Sequence, residues 1–294
     1  MRASGDLLEA LRGKGAPKKE IESSIDALLQ KSRSYRGTAE FQDMVSFMGA
    51  FRDYAPFNSM LVRIQNPTCS FYATSTDWAK RFARTLKEDA RPMLILAPMH
   101  PVMLVYDLDQ TEGKPLPKEI TEFEKFEGEW RSESLARLVK NAELHDKIRV
   151  NFKTLSSTNA GFATVAREQR KWKMRIDIHD ELDEASKFGV LCHELAHIYL
   201  GHLGSDKDHW WPSRCGLSHQ TVEIEAEATA FIVASRFGLD GASARYVSRH
   251  LRNDPVPTSV SLDLVAKTAS RLERMSKEKL KVRRDRQPAG IKKA

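Results

Sequence analysis

Residues 193–197 read His-Glu-Leu-Ala-His, an H-E-x-x-H pattern within Glu184 to Leu200, a stretch whose apolar spacing predicts a helix. On a helix, residues four apart lie one turn apart on the same face, so both imidazoles can meet one cation. Glu194 falls at the edge of that face, where its carboxylate can take a proton from water. Zn2+ suits such a pair. It takes imidazole nitrogens near 2 Å and, in catalytic sites, keeps one position open.

A third ligand is needed. His202, His209 and His219 are close in sequence, but a third histidine at the usual six-residue spacing would stand at 203, which is Leu203. Residues 223–230 read Glu-Ile-Glu-Ala-Glu-Ala-Thr-Ala, inside a second predicted helix from His219 to Phe237. Glu223 and Glu227 share one face of it, with Ala226, Ala230 and Ala234 beside or below them. Small residues there let two helices approach closely. Glu223 is the expected third metal ligand and Glu227 the carboxylate that holds a ligand histidine by its free N–H. Glu225 points elsewhere and is expected to be solvated. His209, His219 and Tyr246 are candidates to stabilise an oxyanion, and the sequence does not choose among them. Lys173 to His179 alternates polar and apolar residues. It predicts a strand with one wet face at a sheet edge, where an extended polypeptide substrate can pair.

Elsewhere the chain mixes short helical and strand patterns, so the expected class is α+β. A flexible N-terminus (1–17) precedes a small α/β domain (18–117), with helices at Lys18–Gln30, Ala39–Phe51, Phe57–Gln65 and Asp77–Lys87, the last capped by Thr76. Strands are expected at Met93–Leu96 and Val102–Asp107. The Gly113–Pro117 turn places the domain break. A helix-rich domain with a small sheet follows (118–276), with further helices at Thr121–Glu127, Ser132–Leu144, Ala242–Leu251 and Ser261–Leu280. The net charge of +7 is concentrated at the C-terminus. Lys277 to Ala294 holds eight Lys/Arg against two Asp/Glu, and residues 277–294 are expected to form a basic disordered tail. Cys69, Cys192 and Cys215 are too scattered for a disulfide framework or a thiolate zinc cluster, and Cys192 is expected to be a buried free thiol. With no apolar run long enough to cross a bilayer and no hydrophobic signal core, a cytoplasmic location without membrane partners is expected.

The run from Cys192 through Gly201-His202, followed by Glu-Ile-Glu-Ala-Glu-Ala-Thr-Ala-Phe, resembles the ImmA/IrrE metallopeptidase-like domain. In that broader group a later motif similar to E-x-x-A-[DN] supplies the third ligand; Glu223 and Ala226 match it, with Glu227 where Asp or Asn is commoner. The resemblance implies a zincin-like fold and a Zn2+-dependent peptidase acting on a regulatory protein such as a transcriptional regulator. Tyr54–Gln65, Trp78, Leu96-Ala97-Pro98, and Val105-Tyr106-Asp107 leading into Gln110–Gly113 are similar to the N-terminal domain of ArdC-like antirestriction proteins, which is associated with single-stranded DNA. That family's Gly- and Lys-rich turn is absent from Lys87–Pro92. Lys80, Arg84 and Lys87 fall on one face of the predicted helix, with Arg81 adjacent and Trp78 close by. Basic side chains interleaved with stacking aromatics suit a single strand. The alternative reading is a non-proteolytic antirestriction protein of a mobile element, its zinc structural.

Overall fold

The structure is a computed structural model, which describes residues 26–30, 32, 37–97, 102–116, 130–156, 159–166, 171–239 and 255–283. The fold is α+β, and the chain divides into two compact units, Met1–Glu127 and Gly128–Ala294. The division falls ten residues beyond the break expected at 117. The N-terminus 1–17, the helices expected at Thr121–Glu127 and Ala242–Leu251, and Tyr246 lie outside the described residues. Among those described, no helix is long and apolar enough to cross a membrane.

The N-terminal unit opens with helix α1 (Thr38–Ala50) and helix α2 (Pro56–Gln65). Pro56 stands in the first turn of α2, where a missing N–H costs nothing. Strand β1 (Tyr72–Ala73), helix α3 (Ser75–Phe82), strands β2 (Arg84–Leu86), β3 (Met93–Ile95) and β4 (Met103–Asp107), a 3-10 turn and strand β5 (Thr111–Gly113) follow. β1, β4 and β3 form an antiparallel sheet in that order, and β2 pairs with β5. Helix α2 covers the far edge of β3 with two side-chain amides. Asn58 and Gln65 lie two turns apart. Each amide both accepts and donates, Asn58 with the Leu96 backbone at 3.0 and 2.9 Å and Gln65 with the Leu94 backbone at 2.8 and 2.8 Å. They act as a surrogate strand where a bare edge would otherwise stand.

Three expectations in this unit need correction. Helix α3 is capped by Thr74, which accepts from the Asp77 amide at 3.1 Å, rather than by Thr76. It stops at Phe82 because Ala83 takes a left-handed conformation (φ 51°) and turns the chain into β2. Lys80, Arg84 and Lys87 therefore do not share a helix face. Lys80 and Arg81 end α3, Arg84 opens β2 and binds Thr111 and Gly113, and Lys87 follows the strand. Trp78 is fully buried, packed edge-on against Phe71, with its indole N–H donating to the Tyr106 carbonyl at 2.9 Å. Phe71 and Tyr72 are also core. None of the three presents a face on which a base can stack.

In the C-terminal unit, helix α4 (Ser132–Asp146) leads to strands β6 (Ile148–Lys153), β7 (Gly161–Val165) and β8 (Met174–His179), then to helices α5 (Glu184–Tyr199), α6 (His219–Arg236) and α7 (Leu262–Lys277). The sheet order is β6-β8-β7, with β6 parallel and β7 antiparallel to β8. The strand expected at the edge is thus the central one, and β7 is an edge. Alternation reports which face of a strand meets the core, but it says nothing of how many neighbours pair with it. Met174, Ile176 and Ile178 do face inward. Asp177 on the opposite face is nevertheless buried, because Asn151 and Lys153 reach over it from β6. Gly161 lets β7 lie directly on α5: a Cβ there would stand 2.6 Å from Val190 Cγ1.

The expectation of disorder from 277 onward also needs correction. Lys277 is the last residue of α7, and the segment to residue 283 is fastened to α4. Asn141 donates to the Met275 and Glu278 carbonyls and accepts from the Leu280 amide, and Arg283 approaches Asp146. Residues 284–294 lie outside the described residues.

Candidate metal centre

Helix α5 starts on Asp183, whose side chain accepts from the Ser186 amide at 2.8 Å, and α6 starts on Ser218, which accepts from Thr221 at 3.2 Å. α6 packs against both α5 and α7 and is buried on nearly every side. Ala226, Ala230 and Ala234 are all buried along it.

This packing brings His193, His197 and Glu223 together, and the three could hold a metal ion. The Nε2 atoms of the two histidines are 3.0 Å apart. Glu223 places Oε2 3.6 Å from His193 Nε2 and Oε1 3.7 Å from His197 Nε2. A tetrahedral ion with bonds of about 2.0–2.1 Å would set its ligand atoms about 3.4 Å apart. The three observed separations straddle that value, the two from Glu223 being to its two different oxygens.

The outward nitrogens fit the same role. His193 Nδ1 lies 3.0 Å from Glu227 Oε1, so the proton belongs on Nδ1 and Nε2 keeps its lone pair. His197 Nδ1 lies 2.9 Å from His202 Nδ1, and His202 Nε2 lies 2.8 Å from Glu225 Oε2. Protons on His197 Nδ1 and His202 Nε2 satisfy both contacts and again leave the inward Nε2 free. Burial, reinforced by the neighbouring His193, pushes His197 down to about 3, which keeps the imidazole neutral. Burial also works against charge on His193, but the bond to Glu227 outweighs it and the pKa rises.

Glu194 is only 8% exposed, and the Ala163 amide of β7 reaches its carboxylate. Burial raises its pKa to about 7, against the opposing pull of His193. A carboxyl poised near neutrality suits proton transfer in both directions. His219 is 85% exposed with Nδ1 3.6 Å from Glu223 Oε1, so it stands at the mouth of the cluster. His209 has a positive φ of 51° and contacts Ser205. Cys192 is buried and free, as its mid-helix position suggested.

Glu225 is the misread residue. It is 0% exposed rather than solvated. Arg214 grips it with two bonds of 2.6 and 2.8 Å, and the Ser261 amide donates to it at 2.6 Å. A helix enclosed on nearly all sides has no wet face for a carboxylate, so Glu225 is buried with a cation instead. His202 was visible in the sequence only as a nearby histidine. Arg214 carried no signal, since its partner is eleven residues away across a loop. The chain matches no family model, no curated protein and no solved structure.

Proposed function

We propose that the C-terminal unit is a zinc-dependent peptidase acting on a polypeptide, with a regulatory protein as the substrate class. The observation that carries the reading is the pairing of His193 and His197, each with its inward nitrogen free, with Glu223 from a second packed helix. When bound, zinc supplies a Lewis acid that polarises an amide carbonyl and makes water acidic near neutral pH. Glu194 accepts the proton of the attacking water and returns it to the leaving amine. Glu227 keeps His193 oriented. His219, at the mouth, is placed to donate towards charge developing on the substrate oxygen. Among the described residues β7 pairs with a strand on one side only, an edge that an extended chain can join, and Ala163 ties that edge to Glu194.

Elemental mass spectrometry of the purified protein tests the metal part. We expect about one zinc per chain, lost in His193→Ala, as a single site with these three ligands requires. A protein that takes up no metal even after zinc supplementation would sink the reading.

The second part of the proposal is single-stranded DNA binding by the N-terminal unit. With Trp78, Phe71 and Tyr72 in the core, it rests on Lys80, Arg81 and Lys87, all exposed. Such binding is to phosphates rather than bases. Replacing Lys80 and Lys87 by Ala should reduce the slope of log affinity against log salt by about 1.4, roughly 0.7 per neutralised phosphate. An unchanged slope removes these lysines from the interface.

A further inference from the structure

The contacts behind His197 extend further than those behind His193. His193 has one carboxylate, Glu227, on the same helix as Glu223. His197 has a chain of three groups drawn from three parts of the unit. His202 follows the end of α5, Glu225 is on α6, and Arg214 is in the loop between them. All four contacts along this chain lie between 2.6 and 2.9 Å. The side chain of His202 is 3% exposed and that of Glu225 is 0% exposed, so water does not substitute for either. Arg214 is held in turn. Its Nη2 donates to the Ser259 carbonyl at 3.0 Å, and its own amide donates to the Gly201 carbonyl at 2.9 Å. The Pro212–Arg214 backbone lies so close to Gly201 (φ 83°) that a Cβ there would stand 2.4 Å from the Pro212 carbonyl oxygen. The loop is therefore docked against the end of the ligand helix.

A buried carboxylate paired with an arginine is costly to assemble and is weak evidence for added stability. Its direction is informative. The anion of Glu225 fixes a proton on His202 Nε2. That leaves His202 Nδ1 as an acceptor, which fixes a proton on His197 Nδ1. The only lone pair left on His197 faces His193 and Glu223.

We propose that Arg214, Glu225 and His202 form a positioning relay that holds His197 in its ligand tautomer and thereby sets the affinity of the centre for its metal ion. None of the three touches substrate or metal. The inference rests on the metal-centre reading above, so its test has one arm that needs no metal.

In that arm, histidine tautomers are read by two-bond 1H–15N NMR in chelator-treated protein at alkaline pH. His197 is expected as the Nδ1–H form in the parent and shifted towards Nε2–H in His202→Phe. A parent His197 in the Nε2–H form, or one indifferent to the substitution, overturns the relay whether or not the protein ever binds zinc. In the second arm, zinc affinity is measured by competition with a chromophoric chelator. His202→Phe and the near-isosteric Glu225→Gln should each weaken binding about 10–100-fold. The double variant should be no weaker than the worse single within about twofold, because both substitutions break one chain. Thr221→Val is the control. It sits beside the relay, its hydroxyl bonded to Ser218 and Ser259 and not to the side chain of His202, Glu225 or Arg214, and should leave affinity unchanged. Penalties that simply add, or an equal loss in Thr221→Val, would mean general packing and overturn the proposal. Should His202→Phe fail to fold, Glu225→Gln carries both arms.

Discussion

Replacing Glu194 by Gln is expected to lower peptide-bond cleavage by about 10²–10⁴-fold, the usual worth of a positioned acid–base group, while leaving metal content at the parental level. Glu194 takes part in none of the three distances that define the cluster. His193, His197 and Glu223 keep their mutual spacing without it. The amide keeps the volume and can still accept from Ala163, so packing at β7 survives. Only the exchangeable proton is lost. The substrate is unidentified, so the measurement is a map of new N-termini in host-cell extract incubated with parent or variant protein. Termini that appear with the parent and vanish with Glu194→Gln are expected. If the two proteins generate the same termini at the same rate, Glu194 is not the proton carrier and the proposed chemistry is wrong.

The second large effect is one of stability. Asp146, at the end of α4, is 0% exposed. Both of its oxygens lie 2.7 Å from Arg271 Nη2, and the Tyr199 hydroxyl donates to Oδ2 at 2.8 Å. Arg271 in turn lies over the Tyr199 ring, 4.0 Å from its centre. Asp146→Ala leaves that guanidinium without its nearest anion. Removing one partner of a buried pair costs about 3–5 kcal/mol. Arg271 is 21% exposed and can recover some hydration, which favours the lower end. For a unit of this size, about 3 kcal/mol corresponds to a fall of about 6–12 °C in Tm. Asp146→Asn, which still accepts from Tyr199, should lose less. Thermal unfolding followed by circular dichroism decides the matter. A loss within about 1 kcal/mol, the worth of a surface pair, would show that the cluster is not holding α4 in place.

The grouping of His193, His197 and Glu223 was legible because its logic is local. The i, i+4 spacing of His193 and His197, and of Glu223 and Glu227, fixes which side chains share a face before any tertiary structure is known. The starts expected at Glu184 and His219 match the structure, where Asp183 and Ser218 cap the two helices. What failed depended on neighbours. Glu225 looks like any charged residue of an exposed helix until the burial of α6 is known. Lys173–His179 carries the pattern of a strand, but nothing in that pattern reveals the short run at 161–165 that pairs with it. Helix α3 ends at Ala83, where no glycine or proline marks the turn. Trp78 has a basic neighbourhood in sequence and an apolar one in space, because the lysine and arginine beside it point away from the core it fills.

The Asp146 cluster also imposes an order on how this unit can be built. Asp146 and Arg271 are 125 residues apart, and Asn141 and Glu278 are 137 apart. Closing loops of that length costs chain entropy before any contact returns it. During synthesis α4 emerges before α5 and α6, and residues 271–283 emerge after them. Until they arrive, Asp146 lacks its guanidinium partner and has the Tyr199 hydroxyl of α5 and water instead. A nascent chain that has not yet released residue 283 therefore carries His193, His197 and Glu223 on helices whose enclosure is unfinished. Closure of the unit around α4 therefore waits on residues 271–283.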